Sequence, residues 1–144
     1  VTAAELLDVA SAGGAVSVNG LRTNIRVSLE YLAAWVGGAG AVAIDYLMED
    51  AATVEISRMQ VWHWLRHRVR TAEGTEVTEA LVRRLLDEVA TTLGADADDA
   101  AQQRLDAARQ IFEQTCLVPA WPEFFTGYAY AHFLVRGTTG GTAA

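Results

Sequence analysis

The chain has 144 residues, enough for one domain with a real core and too few for two. Half of it is hydrophobic (51%), which excludes disorder for most of its length, and a formal net charge of -7 argues against a general nucleic-acid binder. A single cysteine, Cys116, excludes an intramolecular disulfide and a zinc site built on cysteines; it reads as a small buried hydrophobe.

Thr2-Ala3-Ala4-Glu5 has the spacing of a capping box, with Leu6, Leu7 and Val9 behind it, and predicts a short first helix. Ser11 to Gly14 breaks it. Leu21, Ile25, Leu29, Leu32 and Val36 recur at helical spacing, so Val18 to Val36 is expected to form a long amphipathic helix. Arg22, Arg26 and Glu30 follow i,i+4 steps on another face. Gly37-Gly38-Ala39-Gly40 ends that helix, and Ala41 to Ile44 forms a short extended or turn-like connector. From Ala51 to about Val69 the helical pattern resumes, with Ile56, Met59, Trp62 or His63, and Leu65 to Val69 repeating at three to four residues.

Thr71 to Glu76 is a turn, and Val77 to Ala90 is a helix carrying Leu81, Leu85, Leu86 and Val89. The acidic run from Gly94 to Asp99 lacks the central Gly and terminal Glu of an EF-hand loop and reads as a solvated helix start. Ala100 to Thr115 is helical, with Ala101, Leu105, Ala108, Ile111 and Phe112 inward. Pro122 belongs in the first turn of an aromatic-rich last helix, Glu123 to Val135. The Gly/Thr-rich stretch 136–144 reads as a flexible tail. No strand alternation or repeat appears. The expected fold class is all-α, a compact bundle of about five or six helices over residues 1–135.

No secretory signal pattern and no stretch of membrane-spanning length appears, and the last residues are not a peroxisomal address. A cytoplasmic protein is expected.

Chemistry concentrates in Leu47-Met48-Glu49-Asp50-Ala51-Ala52-Thr53, where two adjacent carboxylates open a helix. A helix N-terminus favours an anion, so Asp50 is either an ordinary N-cap or a carboxylate placed for chemistry. Adjacent residues at a helix start cannot point the same way, so Glu49 and Asp50 are not a paired acid/base dyad. One faces a site and the other points to solvent or to an Arg. Arg66, His67, Arg68 and Arg70 either complement the helix C-terminus or bind an anion. His63 and His67 have the spacing of a helical metal pair, but no third ligand accompanies them. Trp62 and Trp64 point to different sides, which leaves one for a partner surface.

Three blocks resemble the C-terminal helical domain of malate synthase, in its smaller A-type branch. They are Gly20 to Ile25 continuing through Tyr31-Leu32 and Ala34-Trp35; Leu47 to Thr53 with Glu55-Ile56-Ser57-Arg58, Trp62, Trp64, Arg66 and His67; and, more loosely, Phe124 to Leu134 with Thr126, Ala129, Tyr130 and His132. The resemblance implies the cap domain of a TIM-barrel enzyme of the glyoxylate cycle, which condenses acetyl-CoA with glyoxylate and yields malate and CoA. The family's general base, the Asp of its Met-Glu-Asp motif, maps onto Asp50. The resulting enolate attacks the aldehyde carbon of glyoxylate. Mg2+ and an Arg that stabilise developing charge come from the barrel, which is not in this chain, so no cofactor-binding or metal-binding residue is assigned here.

The implied partners are the barrel of the same enzyme, with acetyl-CoA and glyoxylate at the shared interface. Such a base must sit in a site shut off from water. The helix terminus stabilises its anion, whereas burial under the barrel raises its pKa. A fragment or separated domain inactive by itself is therefore expected. The competing expectation is a non-catalytic helical interaction module using the Trp pair and the aromatic last helix. The chain departs from the family pattern at Ala41 (Cys), Ala43 (Pro), Asp45-Tyr46 (Tyr-Asn) and Arg68 (Gly). In the closing segment Gly127-Tyr128 and Ala131 replace Leu-Pro and Glu. The approach to Asp50 is where the departures cluster.

Overall fold

A computed structural model describes residues 1–134. Six α-helices occur among them: α1 Ala3–Leu7, α2 Val18–Val36, α3 Ala51–Arg66, α4 Glu79–Gly94, α5 Asp99–Cys116 and α6 Phe125–Ala129. A 3-10 turn, Val9–Ala12, follows α1, and a π-helical turn, Tyr130–Leu134, follows α6. The all-α bundle is as the periodicity predicts. The proposed tail, 136–144, and Val135 lie outside the described residues.

The helix starts follow local chemistry. Thr2 and Glu5 form the reciprocal capping box, and Ser17, Asp50, Thr78 and Asp98 each accept a backbone N–H of the first turn behind them. The acidic connector is thus the N-terminus of α5, with Asp98 Oδ1 accepting from Ala101 at 2.7 Å. Gly38 releases the chain from α2 at φ 97°, a left-handed conformation that L-residues other than glycine rarely adopt.

α2 is the central element and packs against α3, α4 and α5. Its buried stripe is Leu21, Ile25, Leu29 and Leu32, joined by Leu81, Val82, Leu85, Leu86 and Val89 of α4 and by Leu105, Ala108, Ile111 and Phe112 of α5. Cys116 is buried at the end of α5.

Three expectations need correction. The connector after α2 is a small antiparallel hairpin, β1 Val42–Ile44 paired with β2 Leu47–Glu49 in the register Val42↔Glu49, Ala43↔Met48, Ile44↔Leu47. Three-residue strands are too short to show alternation. The last helix is one short α-turn pair followed by a π-turn, and Pro122 lies ahead of its N-cap, Phe124. Of its aromatics only Phe125 is buried, edge-on to Trp35 at 5.4 Å, whereas Phe124 and Tyr130 are exposed.

The third correction concerns the rotation of α3. Its buried residues are Val54, Ser57, Arg58 and Val61, while Ile56 and Met59 are 55% and 43% exposed. The cause is Arg58, which is 0% exposed. Its Nε donates to Glu55 at 2.6 Å, its Nη1 to the Thr115 carbonyl at 2.9 Å, and its Nη2 to the carbonyls of Pro122 and Glu123 at 3.1 Å each. The guanidinium also stacks on the Trp121 ring. A buried charge is tolerated when it is paired and hydrogen-bonded, and each of the three Arg58 side-chain nitrogens has an acceptor here.

Candidate active site

Asp50 sits where β2 runs into α3. Its backbone is extended (φ -130°, ψ -173°), and Oδ1 accepts the Ala52 N–H at 2.9 Å. The cap uses one lone pair and leaves the rest of an exposed carboxylate open. Glu49 has a separate partner: Thr53 Oγ1 donates to its Oε2 at 2.5 Å. The two carboxylates therefore engage different groups of the first turn and do not share a proton. Among the described residues neither forms an ion pair with an Arg.

Beneath Asp50 the hairpin is anchored in two places. Ile44 enters the core, and the buried Tyr31 hydroxyl donates to the Gly40 carbonyl at 2.9 Å. Burial pushes the Tyr31 phenol above its usual range, and the Asp50 charge pushes it further in the same direction. Tyr31 thus belongs to the surroundings of Asp50 although the chain separates them by most of α2 and the hairpin. Nothing local in the sequence connects the two.

Several large apolar side chains are left uncovered by this chain. Tyr46, Leu47 and Met48 of the hairpin, which leads into Asp50, are exposed, as are Ile56 and Met59 on the outward stripe of α3. Large exposed apolar side chains on a folded domain mark surface that can meet something else.

The remaining sequence candidates resolve differently. Trp62 Nε1 donates to the Val118 carbonyl at 3.2 Å and its ring lies 5.3 Å from that of Trp121. Trp64 is half-buried against the core. Both rings of the pair are half-buried within the chain. Arg66 lies over Trp62, Arg68 approaches Glu76 at 3.6 Å, and Arg70 donates to the Gly74 carbonyl at 3.3 Å. Those basic groups thus mostly close their own turn. The His63 and His67 rings stack at 5.9 Å. Among the described residues no three His, Cys, Asp or Glu side chains gather as a metal-binding cluster. No helix among them is long and apolar enough to cross a membrane.

Comparison with known proteins agrees with the motif blocks. The family described as malate synthase, C-terminal, matches residues 15–133. The chain is 44% identical over 132 residues to malate synthase of Myxococcus xanthus (strain DK1622), covering 88% of this chain and 24% of that protein. Glyoxysomal malate synthase of Zea mays is 44% identical over 122 residues, covering 81% and 22%. Malate synthase A of Escherichia coli (strain K12) is 40% identical over 130 residues, covering 88% and 24%. The chain spans about a quarter of the length of these relatives. With most of its length matched at this level, the chain belongs to the malate synthase family and corresponds to its C-terminal helical domain.

Proposed function

We propose that this domain caps the active site of a malate synthase and supplies Asp50 as the general base that deprotonates acetyl-CoA. The observation that carries the reading is a hydrogen-bonded, still open carboxylate at the start of α3, directly after the exposed Leu47 and Met48 of β2. A thioester methyl is a weak acid, so its base must be held close and kept from bulk water. The cap bond from Ala52 fixes the direction of the carboxylate. The exposed Leu47, Met48, Ile56 and Met59 provide an apolar rim that a TIM barrel closes against.

In the reaction, the free Asp50 oxygen takes a proton from the acetyl methyl group, and the C–H electron pair moves into the thioester as an enolate. The enolate carbon attacks the aldehyde carbon of glyoxylate, forming the new C–C bond as the C=O π pair moves to oxygen, which takes up a proton to become the hydroxyl of malyl-CoA. Water then cleaves the thioester of malyl-CoA, giving malate and CoA. Glyoxylate and Mg2+ belong to the barrel in this reading, and no step involving the metal is assigned to residues of this chain. Residues 1–135 act as the cap, and by themselves they form no malate.

The test is Asp50→Asn in a malate synthase carrying this domain beside its barrel. Turnover is expected to fall by about a hundred- to ten-thousandfold, the usual worth of a general base. Unchanged turnover returns Asp50 to being a helix cap. Malate formed by the 144-residue chain alone would show that the site is complete within it.

A further inference from the structure

We infer that Asp45 is a positioning residue for Asp50, acting through an ion pair with Arg26 that holds the tip of the hairpin against α2. This rests on the reading of Asp50 as the base. Asp45 and Tyr46 form the two-residue turn between β1 and β2, with φ 50° and 65°. Two positive φ values define the primed hairpin turn, which favours Asn, Asp and Gly. A Tyr in the left-handed region is unfavourable, and the Tyr46 ring is fully exposed, so no packing offsets it. The turn therefore needs an anchor from outside.

Arg26 provides that anchor. Its Nη2 pairs with the Asp45 carboxylate, and its Nη1 is held by Glu30 Oε1 at 2.6 Å one turn along α2. The Arg is thereby aimed by one acid at the other. The hairpin's other fastenings, Ile44 in the core, Val42 packed against it and the Tyr31 bond to Gly40, all lie on the β1 side, while Tyr46, Leu47 and Met48 are exposed. The strand register joins the tip to the base: Leu47 pairs with Ile44, and Glu49, the residue before Asp50, pairs with Val42. Motion of the tip is thus transmitted along β2 to the first turn of α3. Misplacement of a reacting group by a fraction of an ångström lowers turnover without changing which groups bind substrate.

The experiment compares Asp45→Asn, Arg26→Gln and Asp50→Asn. Amide hydrogen exchange across β1 and β2 is read in the 144-residue chain, and kcat and KM for acetyl-CoA in the enzyme carrying the domain. For Asp45→Asn, exchange in the hairpin is expected to rise about two- to fivefold, the range open to an exposed ion pair. kcat falls by about two- to fivefold with KM unchanged. The global urea midpoint stays in place, and Arg26→Gln, which removes the same ion pair from its other side, gives the same two changes. Unchanged exchange overturns the inference. So does faster exchange with unchanged kcat in an enzyme that Asp50→Asn disables. Full turnover in Asp50→Asn removes the base reading and this inference with it, and the exchange data still separate that result from failure of the tether.

Discussion

The Arg58 guanidinium lies 3.9 Å from the centre of the Trp121 ring, although 0% of Arg58 is exposed and the two residues sit on separate segments. Together with the carbonyls of Thr115, Pro122 and Glu123, this contact ties α3 to the stretch that follows α5. Glu55 completes the clamp, accepting from Arg58 through one oxygen and from the Phe125 N–H through the other at 3.0 Å. Arg58→Met leaves these acceptors unmet and is expected to cost about 3–5 kcal/mol, the usual penalty for breaking a buried charged cluster. Arg58→Lys keeps the charge but loses the planar fork and recovers only part of that loss. Urea unfolding of the two variants checks both statements.

Substitution separates the cap formed by Asp50 from the base role proposed for it. As a cap it is replaceable by Asn, so Asp50→Asn is expected to change the stability of the chain by no more than about 0.5 kcal/mol, whereas Asp50→Ala costs about 1 kcal/mol. In the proposed role of base it is not replaceable by Asn. Thermal unfolding of the chain next to turnover of the enzyme therefore shows Asn as stable and inactive.

Alkaline stability reports on two buried groups. Burial pushes the Cys116 thiol up to about 12, and burial and the Asp50 charge raise the Tyr31 phenol. A raised folded pKa favours the protonated form, so the stabilisation is complete below the unfolded value and is lost as pH rises through the folded one. The loss begins above pH ~9 for the thiol and above pH ~10 for the phenol. Urea unfolding free energy should decline over that range, and less steeply in Cys116→Ala. At pH 8 native Cys116 is expected to resist a thiol reagent that labels it fully in denaturant. Rapid labelling of the native chain would contradict its burial.

The outward stripe of α3 offers a surface test. Ile56→Lys with Met59→Lys alters exposed positions, so the stability of the chain is expected to stay within about 0.5 kcal/mol of its starting value. Malate formation by the chain mixed with a separately produced barrel is expected to drop sharply, because two charges would then enter the apolar rim. Undiminished activity in that mixture would place the docking surface elsewhere.

Much of the architecture was legible from residue order. Helix starts at Thr2, Asp50 and Asp98 follow from side chains that satisfy the first-turn N–H groups, which is local chemistry. The inward stripes of α2, α4 and α5 follow from a 3.6-residue period with a single apolar face. α3 has apolar residues on more than one face, and periodicity cannot choose between them. Val54 and Val61 compete with Ile56 and Met59, and an Arg between them reads as surface. The hairpin is too short for an alternation signal, and the Arg26–Asp45 pair joins groups that no spacing rule connects.

What the sequence by itself determined is the helical class, the caps, and Asp50 at a helix start within a family-specific block. Only the tertiary structure decided which way α3 faces, because the acceptors that make burial of Arg58 tolerable come from residues 115, 122 and 123, more than fifty positions away. That rotation turns Ile56 and Met59 outward. A distant set of carbonyls thereby decides which apolar side chains α3 leaves uncovered.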